Sequence, residues 1–154
     1  MHRTFRILLV EDNPADVRLL QEAFRESPEP YELHTVMDGE AAMDFLHRRN
    51  EHADKPRPDL VLLDINLPKR NGHDVLQMLK QTPGLIRIPV LMLTSSDSAT
   101  HIAKAYDCHA NAYIRKPTDM SNYFKVVAAV KQFWLTIVQL PPTDGLQGSI
   151  SRTY

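Results

Sequence analysis

The sequence predicts an α/β protein: a doubly wound, five-stranded parallel sheet in the order 2-1-3-4-5. Three observations carry this. Uninterrupted apolar runs such as Leu60-Val61-Leu62-Leu63 and Ile7-Leu8-Leu9-Val10 read as strands buried on both faces, the pattern of a parallel sheet covered by helices. Segments with apolar residues at helical spacing separate the runs, so strand and helix alternate five times. The runs also stop abruptly on acids, a hydroxyl residue or a lysine. At 154 residues the chain can build one domain with a real core, but not two ordinary ones.

Taken in order, Arg6-Ile7-Leu8-Leu9-Val10 is the first strand and ends on Glu11 and Asp12. Asn13-Pro14 starts a helix, with proline where a missing N–H costs nothing. Val17, Leu20, Ala23 and Phe24 mark its inner face, and Ser27-Pro28-Glu29-Pro30 ends it. Glu32-Leu33-His34-Thr35-Val36 alternates and follows a turn, as a strand does. Asp38-Gly39 opens the second helix, with Ala42, Phe45 and Leu46 inward, and a polar loop over 50–58 leads to the central strand. That strand ends on Asp64, and Pro68 and Gly72 mark the loop after it. Val75, Leu76 and Leu79 define a third helix ending near Thr82-Pro83-Gly84. Pro89-Val90-Leu91-Met92-Leu93 is the fourth strand, running into Thr94-Ser95-Ser96. A fourth helix spans 97–107, with Ile102, Ala103 and Tyr106. Ala112-Tyr113-Ile114-Arg115 is a short fifth strand before Lys116-Pro117, and a last helix runs over about 119–138. These elements make one domain over residues 1–140; 141–154 reads as a tail rich in Pro, Gly and Ser, with no second domain.

In this strand order the first and third strands are neighbours, and ligands sit beyond the carboxyl ends of such strands. Glu11, Asp12 and Asp64 should therefore meet. Three carboxylates together repel one another, and a hard divalent cation such as Mg²⁺ (or Mn²⁺) relieves this. Thr94 adds a hydroxyl that can donate to a phosphoryl oxygen, and Lys116 a cation that can neutralise one. A carboxylate, a metal, a hydroxyl and a lysine are the parts needed to make an aspartyl phosphate. Each residue alone has a plainer reading: Asp64 as a loop cap, Glu11 or Asp12 as helix N-terminal acids, Thr94 or Ser95 as a cap. Their joint arrival at the ends of strands one, three, four and five favours the site.

The same motifs resemble the response-regulator receiver domains of bacterial two-component signalling. They are Ile7-Leu8-Leu9-Val10-Glu11-Asp12, Leu62-Leu63-Asp64-Ile65-Asn66-Leu67-Pro68 with Gly72, Leu93-Thr94-Ser95 and Tyr113-Ile114-Arg115-Lys116-Pro117. The resemblance covers about residues 5–138 and implies the flavodoxin-like receiver fold. It implies Asp64 as phospho-acceptor, and Glu11, Asp12, Asp64 and the Asn66 backbone carbonyl as metal ligands. It makes Thr94 and Tyr113 the switch pair and Lys116 the phosphate-binding lysine. Asn13-Pro14-Ala15-Asp16, Asn66-Leu67-Pro68-Lys69, the loop over 50–58 and Phe133-Trp134-Leu135 resemble stand-alone regulators paired with phytochrome-type histidine kinases. A sensor histidine kinase, here a bacteriophytochrome, is the partner this implies.

The function expected is a phosphorylation-operated interaction module that catalyses only its own phosphoryl transfer and slow dephosphorylation. The alternative is a small phosphatase of the haloacid dehalogenase type, but that class needs an acid two residues after its nucleophile, where this chain has Asn66. With five glycines the chain forms neither a GxGxxG nor a P-loop. A net charge of -1 gives no field toward nucleic acid, and no helix-turn-helix pattern follows Val138. The single cysteine, Cys108, and the lack of a signal peptide or of an apolar run near the roughly 18 residues of a bilayer span fit a cytoplasmic protein. The seven histidines show no metal-ligand spacing and read as surface or loop residues. In the last helix, Met120, Phe124, Val127, Trp134 and Val138 form one apolar stripe, and Val126, Val130, Phe133 and Ile137 a second. With Ala128 and Leu135 they cover roughly 220° of its circumference, more than packing on a sheet requires. The second stripe predicts a two-fold homodimer through that helix; the alternative is that the tail folds back over it.

Overall fold

In a computed structural model, which describes residues 4–26 and 28–142, β1 (Phe5–Val10) and β3 (Leu60–Leu63) lie side by side at the centre of a five-stranded parallel sheet. β2 (Tyr31–Val36) flanks β1, while β4 (Val90–Thr94) and β5 (Ala112–Arg115) extend the other side, giving the order β2-β1-β3-β4-β5. The register pairs Val10 with Leu63, Leu63 with Met92, and Thr94 with Arg115. Residues immediately beyond these pairs therefore share one edge of the sheet. At the opposite edge the buried Asp59 joins β1 to β3, accepting from Arg6 N at 2.9 Å while its own N–H donates to Arg6 O at 2.7 Å.

Side chains alternate across the sheet and make two cores. Ile7, Leu9, Leu60, Leu62, Leu91 and Leu93 pack against α1 (Pro14–Arg25) and α5 (Met120–Lys131) through Leu20, Phe24, Tyr123 and Val127. Leu8, Val10, Val61, Leu63, Val90 and Met92 face the other way, onto α2 (Gly39–His47), α3 (Gly72–Gln81) and α4 (Ala99–Asp107). Each of the five helices begins at a side-chain cap, Asn13, Asp38, Asn71, Ser98 and Asp119, which satisfies amides of the first turn. The expected end of α1 includes Ser27, which lies outside the described residues. The loop over 50–58 holds a short 3-10 turn, Asn50–His52.

Three readings of the sequence need correction. The fourth helix starts at Ala99, because Ser98 rather than an earlier residue caps it, and Ala105 is its fully buried residue. Ile102 is only half-buried, Ala103 is exposed and Tyr106 is 47% exposed, since α4 lies over the thin β4–β5 side of the sheet. The last helix is regular only to Lys131 and continues as a π-helical turn, Gln132–Ile137, closed by Val138 N donating to Phe133 O at 2.9 Å. Thr136 donates its hydroxyl to Gln132 O one turn back, competing with the regular ladder. Neither stripe lies wholly on one face: Val127, Val130 and Leu135 are buried, while Met120, Phe133 and Ile137 are 50–59% exposed. Of the tail, residues from 143 onward lie outside the described residues, and so does His2. Finally, His73 is not a surface residue. It is 6% exposed on the inner face of α3, with neither ring nitrogen hydrogen-bonded among the described residues.

Candidate phosphorylation and metal site

The register delivers the predicted residues together. Glu11 and Asp12 follow Val10, Asp64 follows Leu63, and carboxylate oxygens of the three lie within 4.8 Å of one another. Glu11 and Asp64 are buried and Asp12 half-buried. Lys116, one residue past β5, reaches back under the edge: its Nζ contacts Glu11 Oε1, donates to Asp64 Oδ2 at 2.9 Å and to Asp16 Oδ2 at 3.0 Å. An ammonium has three protons, so these carboxylates saturate it. Asp64 Oδ1 accepts from the Ile65 N–H at 2.7 Å, which fixes the plane of the carboxylate.

Local backbone geometry makes this possible. Glu11 Oε2 accepts from Asn13 N at 3.0 Å, so the loop after β1 folds over its own acid before Asn13 caps α1. The loop after Asp64 turns tightly: Leu67 N and Gly72 N both donate to Ile65 O, at 3.1 and 2.7 Å. Gly39 lies against this loop from α2, its N–H donating to Pro68 O at 3.2 Å. Asn66, whose backbone carbonyl was expected to complete the metal ligands, is exposed within it.

Electrostatics follow from four acids and one lysine. Burial raises the Glu11 carboxyl to about 7, helped by the charge of Asp64 and opposed by the hydrogen bonds from Lys116 and Asn13. Burial alone would lower the Lys116 ammonium, but hydrogen bonds to Glu11 and Asp64 outweigh it and hold the group charged, well above its usual range. An all-oxygen, partly buried, net negative trio fits a hard divalent cation, which would complete its shell with water.

Thr94 ends β4, and Tyr113 is the second residue of β5. The Thr94 hydroxyl is fully buried and has no hydrogen-bond partner among the described residues. The half-buried Tyr113 hydroxyl donates to Ser96 O at 2.8 Å, and Ser96 Oγ pairs with His101 Nδ1 at 2.6 Å. The two proposed switch residues thus flank one loop, residues 95–98, and are not themselves bonded to each other. Asp16 is a member of this site that the acids at the strand ends did not disclose. As a first-turn acid it reads as a partner of the helix dipole. Asn13 already caps those amides, however, and the Asp16 carboxylate turns instead to Lys116 and Tyr123.

A family model for the response regulator receiver domain matches residues 7–128. The chain belongs to that family. The receiver is 46% identical over 135 residues to the response regulator Rcp1 of Synechocystis sp., covering 88% of this chain and 92% of Rcp1. Among solved structures, the phosphorylated cyanobacterial phytochrome response regulator RcpA superposes with a TM-score of 0.88 at 46% identity, covering 91% of this chain and 100% of RcpA. The Mn²⁺-bound form of Rcp1 superposes with a TM-score of 0.86 at 45% identity, over 90% and 99% of the two chains. Receiver domains bind Mg²⁺, and the trio Glu11, Asp12 and Asp64 suits that ion. The receiver is a response regulator, and the phosphatase alternative is left without support. Among the described residues no helix is long and apolar enough to cross a membrane.

Proposed function

We propose that the receiver takes a phosphoryl group on Asp64 from the phosphohistidine of a sensor histidine kinase, and that this kinase is a phytochrome. The observation carrying the first part is Asp64 itself: a buried carboxylate ending the central strand, plane-locked by Ile65 N and held at 2.9 Å by Lys116. An Asp64 oxygen attacks phosphorus, the P–N bond breaks, and its electron pair stays on the imidazole. Glu11, Asp12, Asp64 and the Asn66 carbonyl would hold Mg²⁺, which would supply positive charge for the phosphoryl oxygens. Lys116 neutralises a phosphoryl oxygen, Thr94 donates its hydroxyl to another, and Tyr113 follows Thr94, altering the loop over 95–98 and the surface of α4, β5 and α5. Slow dephosphorylation resets the module, which signals through protein contact by the receiver, residues 1–140. Treatment with acetyl phosphate and Mg²⁺ followed by mass measurement tests this. The wild type should gain one phosphoryl group and Asp64→Asn none; a phosphorylated Asp64→Asn protein rejects the assignment.

The phytochrome assignment is supported by similarity to RcpA, a phytochrome response regulator, and phosphotransfer profiling against the histidine kinases of the source organism checks it. A kinetic preference for a kinase of another sensor class would reject it. A homodimer through the last helix is supported by Met120, Phe133 and Ile137, each at least half exposed, with Phe133 and Trp134 stacked edge to face at 5.5 Å. Sedimentation of the wild type and Phe133→Asp at micromolar concentration tests it. A wild type that stays monomeric with and without phosphorylation rules it out.

A further inference from the structure

Lys116 has three hydrogen-bond partners, and one of them stands apart. Glu11 and Asp64 belong to the trio that suits a cation; Asp16 does not. It projects from the first turn of α1, where its own N–H is held by Asn13 Oδ1 at 3.2 Å. Its Oδ2 accepts from Lys116 Nζ at 3.0 Å and its Oδ1 accepts from the Tyr123 hydroxyl at 3.0 Å. Tyr123 is 3% exposed and sits on the inner face of α5. One carboxylate thus bridges the phosphate-binding lysine to α5, the helix that leads into the exposed Phe133 and Ile137.

Reaction at Asp64 changes the lysine's surroundings. One Asp64 oxygen becomes the bridging oxygen of a P–O bond, formed as the bond from phosphorus to its donor breaks and the donor leaves with the electron pair. Lys116 must then exchange at least one contact for a phosphoryl oxygen, since its three protons are already committed. A four-carbon side chain freed at one contact needs another to keep its aim. Asp16 is the partner that neither reacts nor belongs to the cation trio. We propose that Asp16 is a positioning residue: it holds Lys116 in line with Asp64 during phosphoryl transfer and, through Tyr123, couples the lysine's movement to α5. This rests on the assignment of Asp64 as phospho-acceptor.

The test uses the full chain, acetyl phosphate as donor, and three readouts: phosphorylation rate, the Mg²⁺ concentration at half-maximal rate, and the ¹⁹F resonance of fluorotyrosine at position 123. Asp16→Asn should slow phosphorylation about tenfold, as expected for a group displaced by a fraction of an ångström to an ångström. Its Mg²⁺ midpoint should stay at the wild-type value, because Asp16 is not a metal ligand. The Tyr123 resonance should move on phosphorylation in the wild type and stay in place in Asp16→Asn. A rate within twofold of wild type overturns the proposal. So does a midpoint shift that accounts for the whole rate loss, or a Tyr123 response retained in the variant. Should Asp16→Asn not fold, Tyr123→Phe takes its place: a slower rate at an unchanged Mg²⁺ midpoint supports the coupling, and a wild-type rate overturns it. A wild type that accepts no phosphoryl group sinks the Asp64 assignment itself; a wild type that does, with variants that match it, sinks only the role of Asp16.

Discussion

Replacing Gly72 with alanine should damage both the stability of the receiver and its chemistry. A Cβ built at position 72 lies 2.0 Å from the Asp64 carbonyl oxygen, 2.8 Å from Ile65 Cα and 2.9 Å from the Asp64 carbonyl carbon. All three are backbone atoms, so no side-chain rotation relieves the clash. Restoring ordinary contact requires a shift of roughly 1.4 Å between α3 and the end of β3. Overpacking of this kind costs about 1–3 kcal/mol, set against about 0.4–1 kcal/mol gained by restricting the unfolded chain. The net, about 1.3 kcal/mol at mid-range, lowers Tm by roughly 3–5 °C in a chain of this size. The same shift moves the Asp64 carboxylate relative to Lys116, now 2.9 Å away, and a misplacement near 1 Å costs on the order of 100-fold in rate. Thermal melts and acetyl phosphate labelling measure the two effects separately. A Gly72→Ala protein with wild-type Tm and wild-type labelling rate would refute the close-packing argument. Loss of Tm alone would show that the loop absorbs the shift without moving Asp64.

Further expectations follow from the buried charges. Asp12→Ala should abolish Mg²⁺-dependent phosphorylation yet melt no lower than wild type in metal-free buffer, since one of three clustered acids is gone; a normal labelling rate would contradict this. Burial holds the His73 imidazole below its ordinary 6.5, aided by the charges of Lys104 and His101. The unfolded chain therefore binds the extra proton first, and stability present above about pH 6.5 is lost as pH falls through the folded value. His73→Leu should lose less Tm than wild type between pH 7 and 5, and equal losses would count against it. Lys131, fully buried, donates to Phe24 O at 2.7 Å and lies 4.5 Å from the Tyr31 ring centre. Lys131→Ala should cost about 3–5 kcal/mol in urea unfolding and Lys131→Met about 1–2, because methionine keeps the packed stem. Indistinguishable costs would mean that the stem contributes nothing.

The strand ends were legible because apolar runs stop on residues that cannot continue them. Val10 and Leu63 are paired in the sheet, so reading where two runs ended was enough to bring Glu11, Asp12 and Asp64 together. Asp16 was not legible, since a first-turn acid has several possible directions and only the packing of α1 against α5, with Lys116 reaching back from the end of β5, selects one. His73 left a signal that went unused: it stands three residues before Leu76 and six before Leu79, on the apolar face of α3. Lys131 follows Val127 and Val130 on an inner face in the same way, but a lysine there reads as surface charge unless the carbonyl that receives it is known. The π-helical turn has no periodic signature, because one extra residue per turn changes the face without changing composition.

The Thr94 hydroxyl, fully buried and without a hydrogen-bond partner among the described residues, bears on how completely this receiver can switch. A buried donor lacking a partner raises the free energy of the state that contains it by about 1–3 kcal/mol, and a phosphoryl oxygen within reach would return that amount. In population terms this multiplies the ratio of the two conformations by about 5 to 150. Moving a protein from 1:99 to 99:1 takes about 5.5 kcal/mol, so the hydroxyl supplies at most around half. Other contacts changed by the phosphoryl group, those of Lys116 among them, have to furnish the remainder, and a receiver with the hydroxyl's contribution alone would populate the second conformation only in part. Thr94→Val, which removes the stranded donor, should therefore rest more stably and answer phosphorylation less fully.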